Sequence, residues 1–284
     1  MASNMKAVKL RMKSIQSTMQ ITKAMELVAA SKLRKAKERA DNTKRGFNLM
    51  HEALSNIAAG NIDFTSVYSK ENASEKYCYI VIAGDRGLAG GYNSNLFKFV
   101  DAQAKDKDYC VLPLGKKALE YYSKKGTQII TDHFGEVEEI GIGECFDIAR
   151  IVCNEYKVNT FGHAILCYTD FKNMLVQESN AMPILPLSDF AVNGSDKTKV
   201  RNLIEYKPDP ESVFDAIVPE YVTNLVYGGV CSSFASELAA RRTAMEAATK
   251  NAGEMIDQLE LYYNRARQAS ITQEITEIVA GADS

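Results

Sequence analysis

The first sixty residues carry the hydrophobic pattern of one long helix. Apolar and small residues recur at alternating spacings of four and three, from Val8 to Ile57, without a slip. The stripe consists of Val8, Met12, Ile15, Met19, Thr22, Glu26, Ala29, Leu33, Ala36, Ala40, Thr43, Phe47, Met50, Leu54 and Ile57. A 3.5-residue period sustained over this length is typical of a helix that packs along one seam against another helix. We therefore predict a helix that ends near Ala59.

The last sixty residues show the same rhythm, and no proline follows Pro219. The stripe consists of Tyr227, Cys231, Phe234, Leu238, Arg241, Met245, Ala248, Ala252, Met255, Leu259, Tyr262, Ala266 and Ala269. Such a helix would be roughly 90 Å long, more than a compact domain of this size could cover. An amphipathic helix on its own domain's core is the alternative, but such helices drift off a 3.5-residue period. The two ends of the chain therefore predict an antiparallel coiled coil.

Between the two helices the pattern changes to short apolar runs that alternate with helical segments. Strands are predicted at 77–83, 109–114, 127–131 and 163–168, and a hairpin or edge pair at 174–176 and 182–187. Helices are predicted at 94–104, 116–124 and 144–156. Alternation of this kind predicts a mostly parallel sheet covered on both faces. The predicted fold class is thus a coiled coil of antiparallel N- and C-terminal helices with an inserted Rossmann-like α/β domain.

The predicted boundaries divide the chain into three segments. Residues 1–59 form the N-terminal coiled-coil helix, 60–208 the α/β domain with its linkers, and 209–284 the C-terminal helix. Within these segments, Asp189–Val200 is predicted to be a polar loop. A short helix at Glu211–Ile217 is expected before the long one, with Pro219 at the first position of the latter, where proline is favoured.

Charge is distributed unevenly along the chain, although its formal net charge is only −2. Residues 1–50 contain twelve lysines and arginines against three acidic residues. A basic helix in an otherwise acidic protein suits an acidic partner, such as nucleic acid, a membrane surface or an acidic protein loop. A merely solvated polar face is the alternative, because lysine and arginine are also good helix formers.

The remaining composition is that of a soluble globular protein, 46% hydrophobic and 25% charged. No apolar run is long enough to span a bilayer, and the N-terminus lacks the apolar core of a signal peptide. The six cysteines form no CxxC pair, and most lie in apolar runs, which indicates buried free thiols in a reducing compartment. The three histidines are scattered, so the sequence suggests neither a metal cluster nor a catalytic triad.

The segment AGDRGLAGGYN, which follows the first predicted strand, is the one feature that resembles an enzyme site. Nucleotide folds hold phosphate between a strand and a helix in this way. The spacing of Gly84, Gly87, Gly90 and Gly91 is not that of the dinucleotide motif, and no Gly-Lys-Ser/Thr follows. A structural turn is favoured over a small-ligand site.

Two features of the C-terminal helix predict contacts. Arg241 lies on the apolar seam, where a charge is costly unless it meets a carboxylate; a partner protein and Glu26 of the other seam are both open as that contact. Farther along, a polar collar is followed by an aliphatic end, Ile271 to Val279. Exposed aliphatic residues there suggest insertion into a socket, and a frayed tail is the alternative.

Three sets of motifs carry a family resemblance. ITKAMELVAASKLRKAK near the N-terminus, DRGLAGGYN in the middle, and ELAARRTAMEAATKNA with YNRARQASITQEITEIVAGA at the end resemble the γ subunit of rotary ATP synthases. The resemblance covers the whole chain with motif order intact. Ala89 stands where that family usually has cysteine, a conservative departure. The cysteine-bearing regulatory insert of the chloroplast type is missing, so thiol switching is not expected.

The resemblance implies a central rotor shaft of a proton-translocating ATP synthase. In that family the coiled coil turns inside a ring of α and β subunits, and the α/β domain binds the ε subunit and the membrane-embedded c-ring. Catalysis of ATP synthesis and hydrolysis takes place on β. The resemblance thus implies no catalytic residue, no cofactor and no metal in this chain, and a peripheral location on the cytoplasmic side of the cell membrane.

Partner-contact residues are carried over by motif. Met25 lies where the shaft passes acidic loops of β, and Lys23, Lys32 and Arg34 have the sign for contact with those loops. Other positions match residues that meet the catch loops of the ring, the sleeve around the tip, or the c-ring. These are Arg241, Gln268, Thr272 and Glu274 for the catch loops, Ile275 and Ile278 for the sleeve, and Tyr206 for the c-ring.

Two rival functions remain at this stage. A nucleotide-dependent enzyme that uses the glycine loop would need a polar pocket, and it leaves the long helices unexplained. A basic coiled-coil nucleic-acid-binding protein would bind through the N-terminal helix, with affinity falling as salt rises. The C-terminal helix is mixed in charge, which disfavours that alternative.

Overall fold

The chain begins and ends with a long helix, and a region with four strands lies between the two helices in the sequence. The computed structural model describes residues 2–59, 65–70, 72–134, 136–188 and 206–282. Helix α1 spans Ala2–Ala59 and helix α5 spans Pro210–Ala282. The predicted loop Asp189–Val200 lies outside the described residues. The chain divides into a helical unit (residues 1–31 and 241–284) and a sheet unit (residues 32–240).

In the sheet unit, α1 and α5 run antiparallel. Leu33 and Ala36 share a buried cluster with Ala235, Leu238 and Ala239. Farther along α1, the Phe47 ring stacks on that of Tyr221 at 6.0 Å. Residue numbers therefore rise on α1 while they fall on α5. The prediction of a coiled coil of antiparallel terminal helices is confirmed.

The α1 stripe agrees with the prediction at every position, each residue being buried or half-buried. In the helical unit the α5 stripe departs from it after Ala252. There Met255 and Tyr262 are exposed, and the neighbouring Ile256 and Tyr263 are covered instead. The covered positions are Met245, Ala248, Ala252, Ile256, Leu259, Tyr263, Ala266 and Ser270. Two successive steps of four, a stutter, shift the stripe by one residue and locally unwind the supercoil.

The sheet unit contains a mixed sheet with strand order β2–β1–β3–β4. The strands are β1 (Tyr77–Ile82), β2 (Tyr109–Leu114), β3 (His163–Phe171) and β4 (Gln177–Leu185). β1 pairs in parallel with β2 and β3, and β3 pairs antiparallel with β4. The helices of this region are α2 (Tyr92–Gln103), α3 (Lys116–Lys125) and α4 (Ile142–Lys157), with a 3₁₀ turn at Val137–Glu139.

Both faces of this sheet are covered, because alternate residues of β1 point to opposite sides. Ile80 and Ile82 share a core with α4 and with the buried residues of α1 and α5. Tyr79 and Val81 share a second core with α2 and α3. The continuous apolar sequence of β1 is therefore explained by burial on both sides.

Two predicted strands are wrong. Residues 127–131 are not a strand, since Ile129 makes only an isolated bridge to Val111 before the chain leaves the sheet. Residues 174–176 form the turn between β3 and β4, so the antiparallel pair is β3 with β4. The Asn173 side-chain Oδ1 accepts the N–H groups of Leu175 and Val176, both at 2.9 Å, and this closes the turn. A local side-chain bond thus replaces the ladder that the apolar residues suggested.

The prediction that a separate short helix precedes Pro219 is also wrong. α5 begins at Pro210 and continues through Pro219. The proline at the first helical position is Pro210, and the Asp209 carboxylate caps the helix by accepting the Ser212 N–H at 2.7 Å. Pro219 costs the helix one hydrogen bond. The helix continues because Phe214, Val218 and Val222, on both sides of the proline, are buried in one core.

Candidate functional site

The glycine loop is occupied by the protein's own polar groups. The Asp85 carboxylate accepts the Lys116 N–H at 3.2 Å and the Val137 N–H at 2.9 Å, which ties the loop to the start of α3 and to the 3₁₀ turn. The Gly84 N–H donates to Asn93 Oδ1 at 2.8 Å. The loop's Gly84 N–H and its Asp85 carboxylate are thus both engaged inside the protein.

A buried carboxylate occupies the space beside Gly84. Glu237 of α5 is only 5% exposed. A Cβ added at Gly84 would lie 2.7 Å from both Cδ and Oε1 of Glu237. This side chain fills the space that a bound phosphate would need, and the loop is therefore a structural turn that receives a helix side chain.

The basic side chains predicted as partner contacts lie on α1 with differing surroundings. In the helical unit, Lys23 Nζ donates to both carboxylate oxygens of Glu26 at 3.1 Å, and Met25 is half-buried. In the sheet unit, Lys32 pairs with Glu138 of the 3₁₀ turn, and Arg34 is exposed. The Lys32–Glu138 pair is exposed on both sides and contributes little to stability, so Lys32 can exchange its partner at small cost. Glu26 is buried, so Lys23 could leave it only at a larger cost.

Glu26, one of the two contacts considered for Arg241, thus has Lys23 as an ion-pair partner. Arg241 itself is half-buried on the α5 stripe. Its contact with a partner protein stays a prediction.

The C-terminal collar residues Gln268, Thr272 and Glu274 are exposed. Thr272 donates to the Gln268 carbonyl at 3.0 Å, as a threonine on a free helix surface commonly does. Beyond them Ile275 and Ile278 are also exposed. The collar and the aliphatic end therefore have the accessibility that partner contact requires.

Tyr206, the residue carried over as a c-ring contact, differs from the others. Its ring is half-buried and packs against the main core of the sheet unit. Part of this side chain therefore serves the domain's own packing.

All six cysteines are free and buried, as the sequence predicts. Burial raises the pKa of Cys153 to about 11 and that of Cys145 and Cys167 to about 12. The thiolate is the reactive form, so these thiols are inert at neutral pH. Within the described residues, no group of histidine, cysteine and acidic side chains is arranged to hold a metal ion.

Three serines of α5 that the sequence analysis did not single out bind the sheet directly. Ser233 Oγ accepts the Thr169 N–H at 3.1 Å, Ser232 Oγ accepts the Phe171 N–H at 2.9 Å, and Ser236 Oγ donates to the Thr169 carbonyl at 3.1 Å. The signal for them was present in CSSFASE, where serines recur at i, i+1 and i+4 on an otherwise apolar helix face.

No helix in the described part of the chain is both long and apolar enough to cross a bilayer. A family model described as ATP synthase matches residues 4–284. The chain is 45% identical over 282 residues to the "ATP synthase gamma chain" of Ruminococcus albus, with 97% of this chain and 96% of the relative covered. It is 38% identical over 300 residues to the "ATP synthase gamma chain, sodium ion specific" of Acetobacterium woodii, with 100% and 99% covered.

Solved structures give the same result for the fold. A chain of the Euglena gracilis mitochondrial ATP synthase assembly of OSCP, F1 and c-ring superposes with a TM-score of 0.71 at 19% identity, covering 99% of this chain and 94% of that one. A chain of the Tetrahymena thermophila mitochondrial ATP synthase central stalk and c-ring gives 0.61 at 22% identity, with 80% and 99% covered. The chain belongs to the ATP synthase gamma chain family, and it is a non-catalytic subunit of the F1 portion of that enzyme.

Proposed function

We propose that this chain is the central rotor shaft of a proton-translocating ATP synthase. The helical unit turns inside the ring of α and β subunits, and the α/β region binds the ε subunit and the c-ring. The chain performs no chemistry of its own. Its unequal sides favour different conformations of the β subunits as it turns, which couples ion flow to distant nucleotide sites through a binding free energy.

The observation that carries this proposal is the apolar surface that both helices of the helical unit leave uncovered. Large apolar side chains between 42% and 71% exposed are Leu10, Ile21, Leu27 and Val28 of α1, and Met255, Leu261, Tyr262, Ile271, Ile275, Ile278 and Val279 of α5. Apolar surface on this scale marks a protein contact. An enclosing sleeve with apolar lining fits residues spread along both helices better than a single docked partner does.

Charge supports the same partners. Lys23, Lys32 and Arg34 are exposed basic residues of α1. They suit the acidic loops of β, and Met25 is placed to pack against those loops. On α5, the polar residues Arg241, Gln268, Thr272 and Glu274 contact the catch loops, and Ile275 and Ile278 turn in the sleeve. The half-exposed edge of Tyr206 faces the c-ring.

The complex holds this chain at the cytoplasmic side of the cell membrane as a peripheral subunit. The comparisons lend no support to the alternative of a basic coiled-coil nucleic-acid-binding protein. Salt-sensitive binding of DNA or RNA by the purified chain would revive it. The Acetobacterium relative is named as sodium ion specific. ATP-driven membrane potential measured with and without added Na⁺ therefore decides between proton and sodium coupling.

Met25→Lys in the whole ATP synthase tests the proposed shaft. Met25→Leu, which conserves volume, is the matched control. We expect Met25→Lys to assemble and hydrolyse ATP while generating less membrane potential per ATP in inverted vesicles, because a lysine adds an attraction to the acidic loops that must be broken at each step. Wild-type pumping at wild-type hydrolysis rates would contradict the contact at Met25.

A second measurement tests whether the purified chain binds nucleotide. Calorimetric titration of the purified chain with Mg-ATP should show no binding, since the glycine loop is filled by Asp85 and abuts Glu237. A clear saturable heat would contradict the proposal.

A further inference from the structure

Strand β3 extends beyond the end of its neighbour β1. The backbone N–H and C=O groups on that edge of its last residues therefore cannot pair with β1. β1 pairs with β3 only as far as Cys167, whereas β4 pairs with β3 through Phe171. Thr169 and Phe171 are two residues apart, so their backbone groups point to the same side of the strand. On that side β1 has already turned away into the glycine loop. Burying those groups without a partner would cost free energy.

Helix α5 takes the place of the missing strand at this point. The hydroxyls of Ser233 and Ser236 bind the N–H and the carbonyl of Thr169, and the Ser232 hydroxyl binds the Phe171 N–H. Ser232 Oγ also donates to Asp170 Oδ1 at 3.1 Å. Ser233 and Ser236 are 1% and 0% exposed, so no water replaces these bonds. We call these three serines with Thr169 and Phe171 the serine joint.

The glycine loop binds the same turn of α5. The Tyr92 hydroxyl donates to the Ser233 carbonyl at 3.1 Å. One turn later, the Glu237 carboxylate lies against Gly84. The end of β3 and the loop after β1 thus both bind residues 232–237 of α5.

Hydrogen bonds restrain a helix differently from apolar packing. Apolar contact is non-directional and depends mainly on the area buried, so a helix can slide or turn by a small amount on an apolar surface. Buried hydrogen bonds fix donor and acceptor positions within a few tenths of an ångström, and each broken one leaves an unsatisfied group. The serine joint therefore opposes rotation of α5 about its own axis against the sheet.

We propose that the serine joint is a torque-bearing contact, where force applied to the sheet unit passes into α5. The hydroxyls of Ser232, Ser233 and Ser236 act by holding α5 in a fixed position against the end of β3. The inference rests on the proposed function as a rotor shaft, and it adds where in the chain the load is carried.

Hydrogen exchange in the complete complex tests the joint itself. Ser232→Ala should accelerate exchange of the Phe171 amide, and Ser233→Ala that of the Thr169 amide, each about tenfold or more. Ser55→Ala is the matched control, because its hydroxyl bonds within α1, to His51. Unchanged exchange at both amides would overturn the joint.

A comparison of loaded and unloaded turnover tests its mechanical role. ATP hydrolysis by the detached soluble portion places no load on the sheet unit, so we expect the serine variants to match wild type there. ATP-driven membrane potential in vesicles loads the joint, and the variants should build up less potential per ATP. A merely structural defect would lower both activities together, and equal potential in variant and wild type would overturn the proposal.

Ser232→Ala decides the question if Ser233→Ala or Ser236→Ala fails to assemble, since Ser232 is only half-buried. Reconstitution of the complex with the wild-type chain distinguishes a failure of this proposal from a failure of the shaft function on which it rests. If wild-type chain added to the other subunits does not restore coupled turnover, the shaft function fails. If it does so and Ser232→Ala couples equally well under load, only the serine joint fails.

Discussion

Thr22 of α1 and Thr249 of α5 join the two helices of the helical unit through their hydroxyl oxygens, which are 2.8 Å apart. Each oxygen also lies within bonding distance of a carbonyl of its own helix, Met19 at 3.0 Å and Met245 at 2.8 Å. Two hydroxyl protons therefore serve three contacts. One threonine donates across the seam while the other bonds within its helix.

This arrangement predicts a non-additive pair of substitutions. Thr22→Val or Thr249→Val alone should lower the free energy of unfolding by about 1–2 kcal/mol, because the remaining hydroxyl loses its partner across the seam. The double variant should cost less than the sum by about 1 kcal/mol. Urea unfolding of the four chains measures the coupling, and strict additivity would show that the contact contributes nothing.

Gly84→Ala is expected to destabilise the sheet unit by about 1–3 kcal/mol, since the added methyl group would collide with the buried Glu237 carboxylate. Gly87→Ala in the same loop is the matched control, because a Cβ there meets nothing within 4 Å. Thermal unfolding of the two variants measures the difference. Equal midpoints would mean that Glu237 moves aside without cost.

The stutter predicts unequal losses of stability for substitutions at two adjacent residues. Ile256→Ala should lower the free energy of unfolding by about 1–2 kcal/mol, because its side chain is partly covered in the α5 stripe. Met255→Ala should change it by less than about 0.5 kcal/mol, because Met255 is 42% exposed. A regular heptad would reverse this order, so urea midpoints of the purified chain distinguish the two registers.

The buried thiols predict a loss of stability in alkali. Burial raises the pKa of Cys153 to about 11, whereas a thiol in the unfolded chain ionises near about 8.5. Below the lower value both states hold the proton and stability is constant. Between the two values only the unfolded state releases it, so stability falls by about 1.4 kcal/mol per pH unit for this thiol.

Cys145 and Cys167, with pKa values raised to about 12, act in the same direction. Urea unfolding at pH 7.5 and about pH 10 measures the loss of free energy of unfolding. Cys153→Ala should make this loss smaller by the contribution of one thiol. Stability that stayed constant to pH 10 would contradict burial of these groups.

Periodic burial explains what the sequence could predict. The α1 stripe was correct along its length, because a strict seven-residue repeat has one physical solution, a seam against another helix. The two strands β1 and β2 were also placed well, since runs such as YCYIVI and YCVLPL are apolar on both faces. Signals of this kind are repeated along the chain, so a single irregular residue does not obscure them.

Features decided by tertiary contact escaped prediction. Pro219 reads locally as a helix start, yet the core around Phe214 and Val222 keeps the helix continuous. The serine joint required knowing that β1 ends early beside β3, which no local pattern states. The partner contacts rest on family resemblance and not on periodicity, and the structure adds to them only the burial and the local partners of each side chain.

The one-residue shift of the α5 stripe also changes what a surrounding sleeve encounters. A strict repeat would turn Met255 and Tyr262 inward, but the stutter presents a thioether and a phenol on the outer flank of the helix. As the chain revolves, each enclosing subunit would contact this flank once per turn. The irregularity in the repeat would therefore bring the same two side chains against the subunits one after another.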